Sequence, residues 1–410
     1  MQRDCVVSLD CSTTASKAIV WDCQGRVVAE GRASLPMLRP RPEWHEQPAE
    51  SWWQASCEAL AQAAAQVDAG RLAAVCVTHQ RETFVPVDAS GWPLRSAILW
   101  MDERARSLLP RLQQALGEER FQAITGKPLS GNLSAAKIAW LQENEPRVCA
   151  GTFMYLDVHA FLVRRLSGQF ATGWGCADPM GLFDMRCNSW SPEVIAAIGA
   201  RPEQFPPAYP PGAVIGRVTA EAAGLCRLPE GLPLVAGLGD GQSAGLGANI
   251  AHGGDCYLSL GTSIVSGAYA DHYRTSRAFR TMYGGVPGTY MLETVMLGGA
   301  YLVNWFLENF AGPETAGGGA SLRTEELMEA AALETPPGAL GLLLVPYWNS
   351  AMNPYWDASA SGVVVGWRGV HGRLVVRRQP ASRSGARSSR ATRSGRRPAS
   401  PRPAAPRSPG

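Results

Sequence analysis

The chain has 410 residues, 46% of them hydrophobic and 18% charged, enough for two domains that each bury a full core, which excludes a small disulfide-stapled or fibrous protein. Its formal net charge of +3 divides at Gly372: 27 Lys+Arg against 35 Asp+Glu up to that point (−8), then 11 Arg and no acid after it (+11). An acidic body offers no positive surface to neutralise phosphates, so no nucleic-acid partner is expected for the folded part.

The ten cysteines are scattered singly, without a CxxC pair or a clustered spacing. They read as reduced, mostly buried small hydrophobes and not as a disulfide framework or zinc site. Without a cleavable apolar leader or a run of about 18 apolar residues, no membrane contact and a cytoplasmic location are expected.

In chain order, Val6 to Leu9 is an apolar run that ends in Asp10, and a Ser/Thr cluster separates it from Ala18 to Trp21. The turn Asp22-Cys23-Gln24-Gly25 then leads to Val27-Val28-Ala29, a pattern of strand, polar turn, strand, tight turn, strand. Pro48 to Val67 carries Trp52, Trp53, Ser56, Leu60 and Ala64 at helical spacing and is followed by a strand over Leu72 to Val77. That order predicts an α/β domain with a mixed sheet. Further helices are expected over 104–116, 134–144 and 155–167. The strand Leu234-Val235-Ala236 enters the Gly-rich segment 237–241, and a second unit begins near residue 252. Its opening, 257–265, echoes 6–14, which suggests a duplicated strand-turn-strand hairpin and two domains facing one cleft.

Four motifs carry candidate chemistry. In Asp10-Cys11-Ser12-Thr13-Thr14-Ala15-Ser16-Lys17 a polar turn offers N–H groups and hydroxyls to an anion, Lys17 adds a point charge, and Asp10 can hold Mg²⁺ directly or through water; the alternative is an ordinary hairpin turn. In Thr78-His79-Gln80-Arg81-Glu82-Thr83, at a strand's C-terminal end, Arg81 and Glu82 could clasp hydroxyls as donor and acceptor; the alternative is a surface ion pair beside a buried His79. Trp100 and Asp102, after Ala97-Ile98-Leu99, fit an aromatic platform with a polar partner, or a core Trp. In Gly237-Leu238-Gly239-Asp240-Gly241-Gln242-Ser243 a lone carboxylate on a glycine-lined loop, ahead of a short helix over Ser243 to Leu246, suits a general base reached closely by substrate; the alternative is a turn with a capping Asp. Gly261-Thr262-Ser263, the second hairpin turn, is weak alone. Neither GxGxxG nor GxxxxGK[ST] occurs, which argues against a Rossmann dehydrogenase and a P-loop NTPase.

Together these motifs, with PEWHEQPAESWW, SAAKIAWL, LGGAYLVNWF and NPYWDASASGVVVGW, resemble the FGGY family of carbohydrate kinases over residues 5 to 373. The resemblance implies an α/β fold of two ribonuclease-H-like (actin-like ATPase) domains around a central cleft, placed at 1–248 and 252–372. It implies ATP-dependent phosphorylation of a sugar or polyol, with Asp240 as the base that takes the hydroxyl proton and Arg81, Glu82, Trp100 and Asp240 in the sugar site. Thr13, Thr14 and Lys17 match the first phosphate loop, Gly261 and Thr262 the second, Gly298 and Gly299 the stretch near the nucleotide, and Asp10 the residue associated with Mg²⁺. Oligomeric state stays open, a homodimer included. Two departures stand out. Ser12 occupies a position usually held by glycine, which serine can fill if its φ stays negative. After Gly372 the family's helix-forming and adenosine-binding segments are absent and an Arg/Ala/Pro/Ser-rich stretch, 373–410, follows. Its composition predicts disorder, and it reads as an out-of-frame translation in preference to a polyanion-binding arm. On that reading the second domain is incomplete and activity is impaired, with a non-catalytic sugar-binding chain of the same fold as the alternative.

Overall fold

Residues Cys5–Cys11 (β1) point every second side chain into the core, so Cys5, Val7, Leu9 and Cys11 are buried while Val6, Ser8 and Asp10 are not, the alternation that a pleated strand imposes. The chain then turns back into Ala15–Asp22 (β2) and Val27–Ser34 (β3), with Asp10 opposite Lys17 across the first hairpin. These coordinates are a computed structural model that describes residues 3–261, 263–310, 333, 335–348, 350–357 and 359–371; the expected Arg-rich tail lies outside the described residues.

Leu72–His79 (β4), Val214–Arg217 (β5) and Pro233–Val235 (β6) complete a six-stranded sheet in the order β5-β6-β4-β1-β2-β3. The β1/β4 and β4/β6 pairs are parallel and the others antiparallel, so the expected mixed sheet is observed. Ala49–Ala64 (α1) lays Trp52, Ser56, Ala59, Leu60 and Ala63 on this sheet. Smaller pairings join Phe84–Val87 to Met154–Asp157 and Ala97–Ile98 to Glu46–Gln47. Ser134–Asn144 (α2) forms over the predicted residues. The helix expected over 155–167 starts later, at Val158–Ser167 (α3). Asp157 caps it by accepting from the Ala160 N–H at 2.7 Å, and residues 154–157 are held as strand by Phe84–Val87. The element expected over 104–116 opens with a 3₁₀ turn and becomes α-helical at Leu109, where Pro110 in the first turn sacrifices no bond.

Asp240–Gly247 (α4) follows β6. Then come Cys256–Leu260 (β7), Ile264–Ala270 (β8), Arg280–Tyr283 (β9) and Tyr290–Met296 (β10), an antiparallel sheet ordered β7-β8-β10-β9. The β7/β8 hairpin pairs Leu260 with Ile264, which makes it the expected counterpart of β1/β2. Ala300–Phe310 (α5) comes after it. Two compact units divide the chain, residues 1–312 with 347–362, and residues 313–346 with 363–410. Every residue of the site below belongs to the first. Among the described residues no helix is long and apolar enough to cross a membrane.

Candidate active site

Three adjacent parallel strands, β6, β4 and β1, bring the candidate residues together. Register pairs Cys11 with His79 and His79 with Gly239, so Asp10, the Gln80–Thr83 segment and Asp240 all emerge at the C-terminal ends of neighbouring strands, where ligands bind in open α/β sheets.

Asp240 is the first residue of α4 and not a loop residue as the sequence suggested. One carboxylate oxygen, Oδ1, accepts from the Gly241 N–H at 2.7 Å and lies 2.7 Å from Arg81 Nε. The side chain is 49% exposed, and among the described residues the hydrogen bond and ion pair it makes both use Oδ1, which leaves Oδ2 to accept a proton. The glycines around it serve a purpose different from the expected approach of substrate. A Cβ on Gly237 would fall on the Val77 carbonyl oxygen, one on Gly239 would sit 2.5 Å from Arg81 Cδ, and one on Gly241 would sit 2.7 Å from Glu293 Oε2. They let the β6 extension lie against β4 and let Arg81 cross it.

Arg81 and Glu82 do not pair with each other, and neither is a surface residue. Arg81 Nη1 lies 2.9 Å from Glu293 Oε2, the second oxygen of Glu293 pairs with Arg280 Nη2, and Arg280 Nη1 donates to Glu82 Oε1 at 2.7 Å. The result is an alternating row, Asp240, Arg81, Glu293, Arg280, Glu82, whose last four members are at most 9% exposed. Burial alone would raise the Glu293 carboxyl, but the guanidiniums of Arg81 and Arg280 outweigh it and hold the group at about 2. Glu82 adopts φ 54°, a left-handed conformation that is unfavourable for a residue with a Cβ. Its carbonyl accepts from Lys137 Nζ on α2 at 2.7 Å, and a second bond runs from the same ammonium to the Leu99 carbonyl at 2.8 Å. Full burial depresses the Lys137 amine to about 7.

Trp100 is half-buried, and its Nε1–H donates to Thr13 Oγ1 at 3.0 Å; Thr13 in turn donates to Gln80 Oε1 at 3.0 Å. Gln80 Nε2 donates to Gln47, whose own Nε2 donates to the Thr13 carbonyl at 2.6 Å. The first hairpin turn is thereby tied to the segment that carries Arg81 and Glu82. Ser12 closes the turn through its N–H and hydroxyl, both on the Ala15 carbonyl, and does not appear among the residues of positive φ. The Lys17 ammonium pairs with Glu30 at 3.0 Å. Asp102, expected beside the platform, is instead chelated by Arg104 and accepts from the His45 N–H, so it braces the loop. His79 is fully buried.

Asp10 fits a cation. Its Oδ1 is buried without a hydrogen-bond partner, and burial together with the nearby charge of Asp240 pushes its carboxyl up to about 6, a carboxylate short of positive charge. Among the described residues no group of three or more His, Cys, Asp or Glu side chains could hold a metal ion, so a cation here would draw its other oxygen ligands from bound phosphate and water. At the second hairpin the Ala300 N–H donates to the Gly261 carbonyl at 2.8 Å. That bond brings the turn against Gly298, Gly299 and the start of α5. Thr262 lies outside the described residues.

Glu293 and Arg280 were not among the residues singled out from the sequence. The available signal was one carboxylate inside the otherwise uncharged strand Tyr290–Met296; a lone charge in a half-buried strand needs a partner.

Residues 5–247 match the N-terminal domain, and residues 256–374 the C-terminal domain, of a described family, the FGGY family of carbohydrate kinases. Among curated proteins, the chain is 29% identical over 381 residues to a glycerol kinase of Delftia acidovorans, covering 88% of this chain and 72% of the relative. It is 27% identical over 368 residues to a xylulose kinase of Escherichia coli, covering 89% and 73%. Among solved structures, a xylulose kinase of Rhodospirillum rubrum superposes with a TM-score of 0.82 at 28% identity, over 91% of this chain and 75% of that one. A glycerol kinase of Plasmodium falciparum with ADP shares the fold, with a TM-score of 0.76 at 21% identity over 92% and 76%.

Proposed function

The chain belongs to the FGGY family of carbohydrate kinases, and from that premise we propose how its own residues phosphorylate a sugar or polyol. Arg81, Glu82 and Trp100 hold the acceptor against Asp240, whose free Oδ2 takes the proton of the attacking hydroxyl while that oxygen bonds to the γ-phosphorus of ATP and ADP leaves. The observation that carries this reading is the half-exposed Asp240 with one oxygen fixed and the other open, on the strand end next to Arg81 and Glu82. Thr13, Thr14 and Lys17 face the phosphates from the first hairpin. Gly261, Gly298 and Gly299, at the second hairpin and the start of α5, are assigned to the nucleotide, and so is Thr262 beside them in the sequence. Asp10 holds Mg²⁺, which when bound neutralises phosphate charge. The substrate class follows the relatives: glycerol, xylulose and related polyols and ketoses.

A second reading is a chain of the same fold that binds sugar but turns over weakly or not at all. Both readings place the chain in cytoplasmic carbohydrate metabolism.

The test measures ADP release and sugar binding for the 410-residue chain over glycerol, D-xylulose, D-ribulose, D-gluconate and tetritols, alongside Asp240→Asn. If Asp240 is the base, the variant binds the sugar within tenfold of the parent and loses about 10²- to 10⁴-fold in kcat. Undiminished turnover in Asp240→Asn overturns the assignment; sugar binding without ADP release in the parent selects the second reading.

A further inference from the structure

We propose that Arg280 and Glu293 are positioning residues of the sugar site: Arg280 orients Glu82, and Glu293 keeps Arg81 from closing on the free oxygen of Asp240. This rests on the reading that Arg81, Glu82 and Asp240 form that site.

The geometry assigns the two residues different tasks. Glu82 branches from a left-handed backbone position, and its carboxylate is fixed by a bond from Arg280 Nη1 at 2.7 Å. That bond uses Oε1 and leaves Oε2 to accept from a hydroxyl. Arg280 comes from β9, 198 residues away, and is 4% exposed, so no solvent competes for the bond and charge-assisted hydrogen bonding is strong there. Without it, Glu82 gains rotamer freedom, and a sugar must order the side chain as well as bind it.

Glu293 stands between two guanidiniums. Its Oε2 lies 2.9 Å from Arg81 Nη1, and its other oxygen pairs with Arg280. Arg81 meets Asp240 Oδ1 through Nε at 2.7 Å, while Glu293 holds Nη1 at 2.9 Å and keeps the guanidinium from turning toward Asp240. If the Glu293 charge is removed, Arg81 and Arg280 repel each other and the nearest anion left to Arg81 is Asp240. A planar fork beside a carboxylate closes to a two-bond pair, and that pair captures Oδ2, the atom that accepts the proton. Loss of Arg280 therefore acts on sugar affinity, and loss of Glu293 acts on the chemical step.

The experiment uses the full 410-residue chain with Arg280→Gln, Arg280→Lys and Glu293→Gln, and the tightest-binding compound among glycerol, D-xylulose, D-ribulose and D-gluconate. Sugar Kd is read by calorimetry, kcat and KM by ADP release, and folding by near-UV circular dichroism. Arg280→Gln is expected to raise Kd about 10- to 100-fold, as loss of one charge-assisted hydrogen bond does, with kcat within threefold; Arg280→Lys, which keeps a point charge, recovers part of the affinity. Glu293→Gln is expected to lower kcat more than tenfold with Kd changed less than fivefold. For a parent that binds sugar without turnover, the Kd series alone decides. Unchanged Kd in folded Arg280→Gln, or equal losses of Kd and kcat in both variants, overturns the inference while leaving the site standing. If Arg280→Gln does not fold, Arg280→Lys decides: unchanged Kd overturns the inference and a weakened Kd supports it. A parent that binds none of the compounds overturns the underlying reading and the inference with it.

Discussion

Lys137 supplies a prediction whose sign and size follow from its surroundings. The side chain is fully buried, its ammonium bonds the Glu82 and Leu99 carbonyls, and burial lowers its pKa from 10.5 to about 7. Between those values the unfolded chain carries a proton that the folded chain has shed, so stability rises with pH, by at most about 1.4 kcal/mol per unit for one proton. The folded amine is half charged at pH 7, and the gain from pH 7 to pH 9 comes to about 2 kcal/mol on the same linkage. Lys137→Met removes this slope. At pH 7 it relieves a charge penalty of about 4 kcal/mol but strands the Glu82 carbonyl at about 1 to 3 kcal/mol, the Leu99 carbonyl keeping the Asp102 N–H at 3.1 Å, so the two effects partly offset and the information lies in the slope. Urea unfolding of both proteins at pH 7, 8 and 9 is the assay. The parent is expected to gain about 2 kcal/mol more than Lys137→Met across that range; parallel pH profiles would refute the assignment of a depressed, buried amine.

Two further substitutions test the frame around the site. Gly237→Ala places a methyl group on the Val77 carbonyl, a backbone collision that no rotamer relieves; it is expected to destabilise by about 3 kcal/mol or more and to lower kcat by displacing Asp240, as read by urea unfolding and ADP release. Trp100→Phe keeps the ring but removes the donor to Thr13 Oγ1; the expected result is a loss of about 1 kcal/mol, seen as a several-fold rise in the KM for ATP, and an unchanged KM would sever Trp100 from the first hairpin.

Local pattern made most of this site legible. The first hairpin could be read because alternating apolar residues flank a hydroxyl-rich turn, and α2 because its apolar spacing is bounded by clear turn residues. The helix predicted over 155–167 begins three residues later, at Val158, because nothing local distinguishes 155–157 from helix until the pairing of Met154–Asp157 with Phe84–Val87 is known. Asp240 is legible as a lone carboxylate among glycines, but those glycines make room for Arg81 and β4 and not for substrate. The sequence shows that small residues are needed there, not that Arg81 from a turn about 160 positions earlier occupies the space. Glu293 and Arg280 depend wholly on tertiary contact, since their partners lie far away in the chain.

That distance bears on why the buried charges exist at all. Four ionised groups taken out of water incur a desolvation penalty that their mutual attraction only roughly repays, and well-packed apolar residues would serve stability as well or better. Stability therefore does not account for the row from Asp240 to Glu82. Orientation does: each internal member has two partners of opposite sign, so no guanidinium or carboxylate can turn without leaving a buried charge unpaired. The end members, Asp240 and Glu82, are the two carboxylates that each keep an oxygen free of an ion pair. An alternating row with anions at both ends fixes the arginines and leaves the open oxygens as acceptors, which is the polarity that hydroxyl groups require.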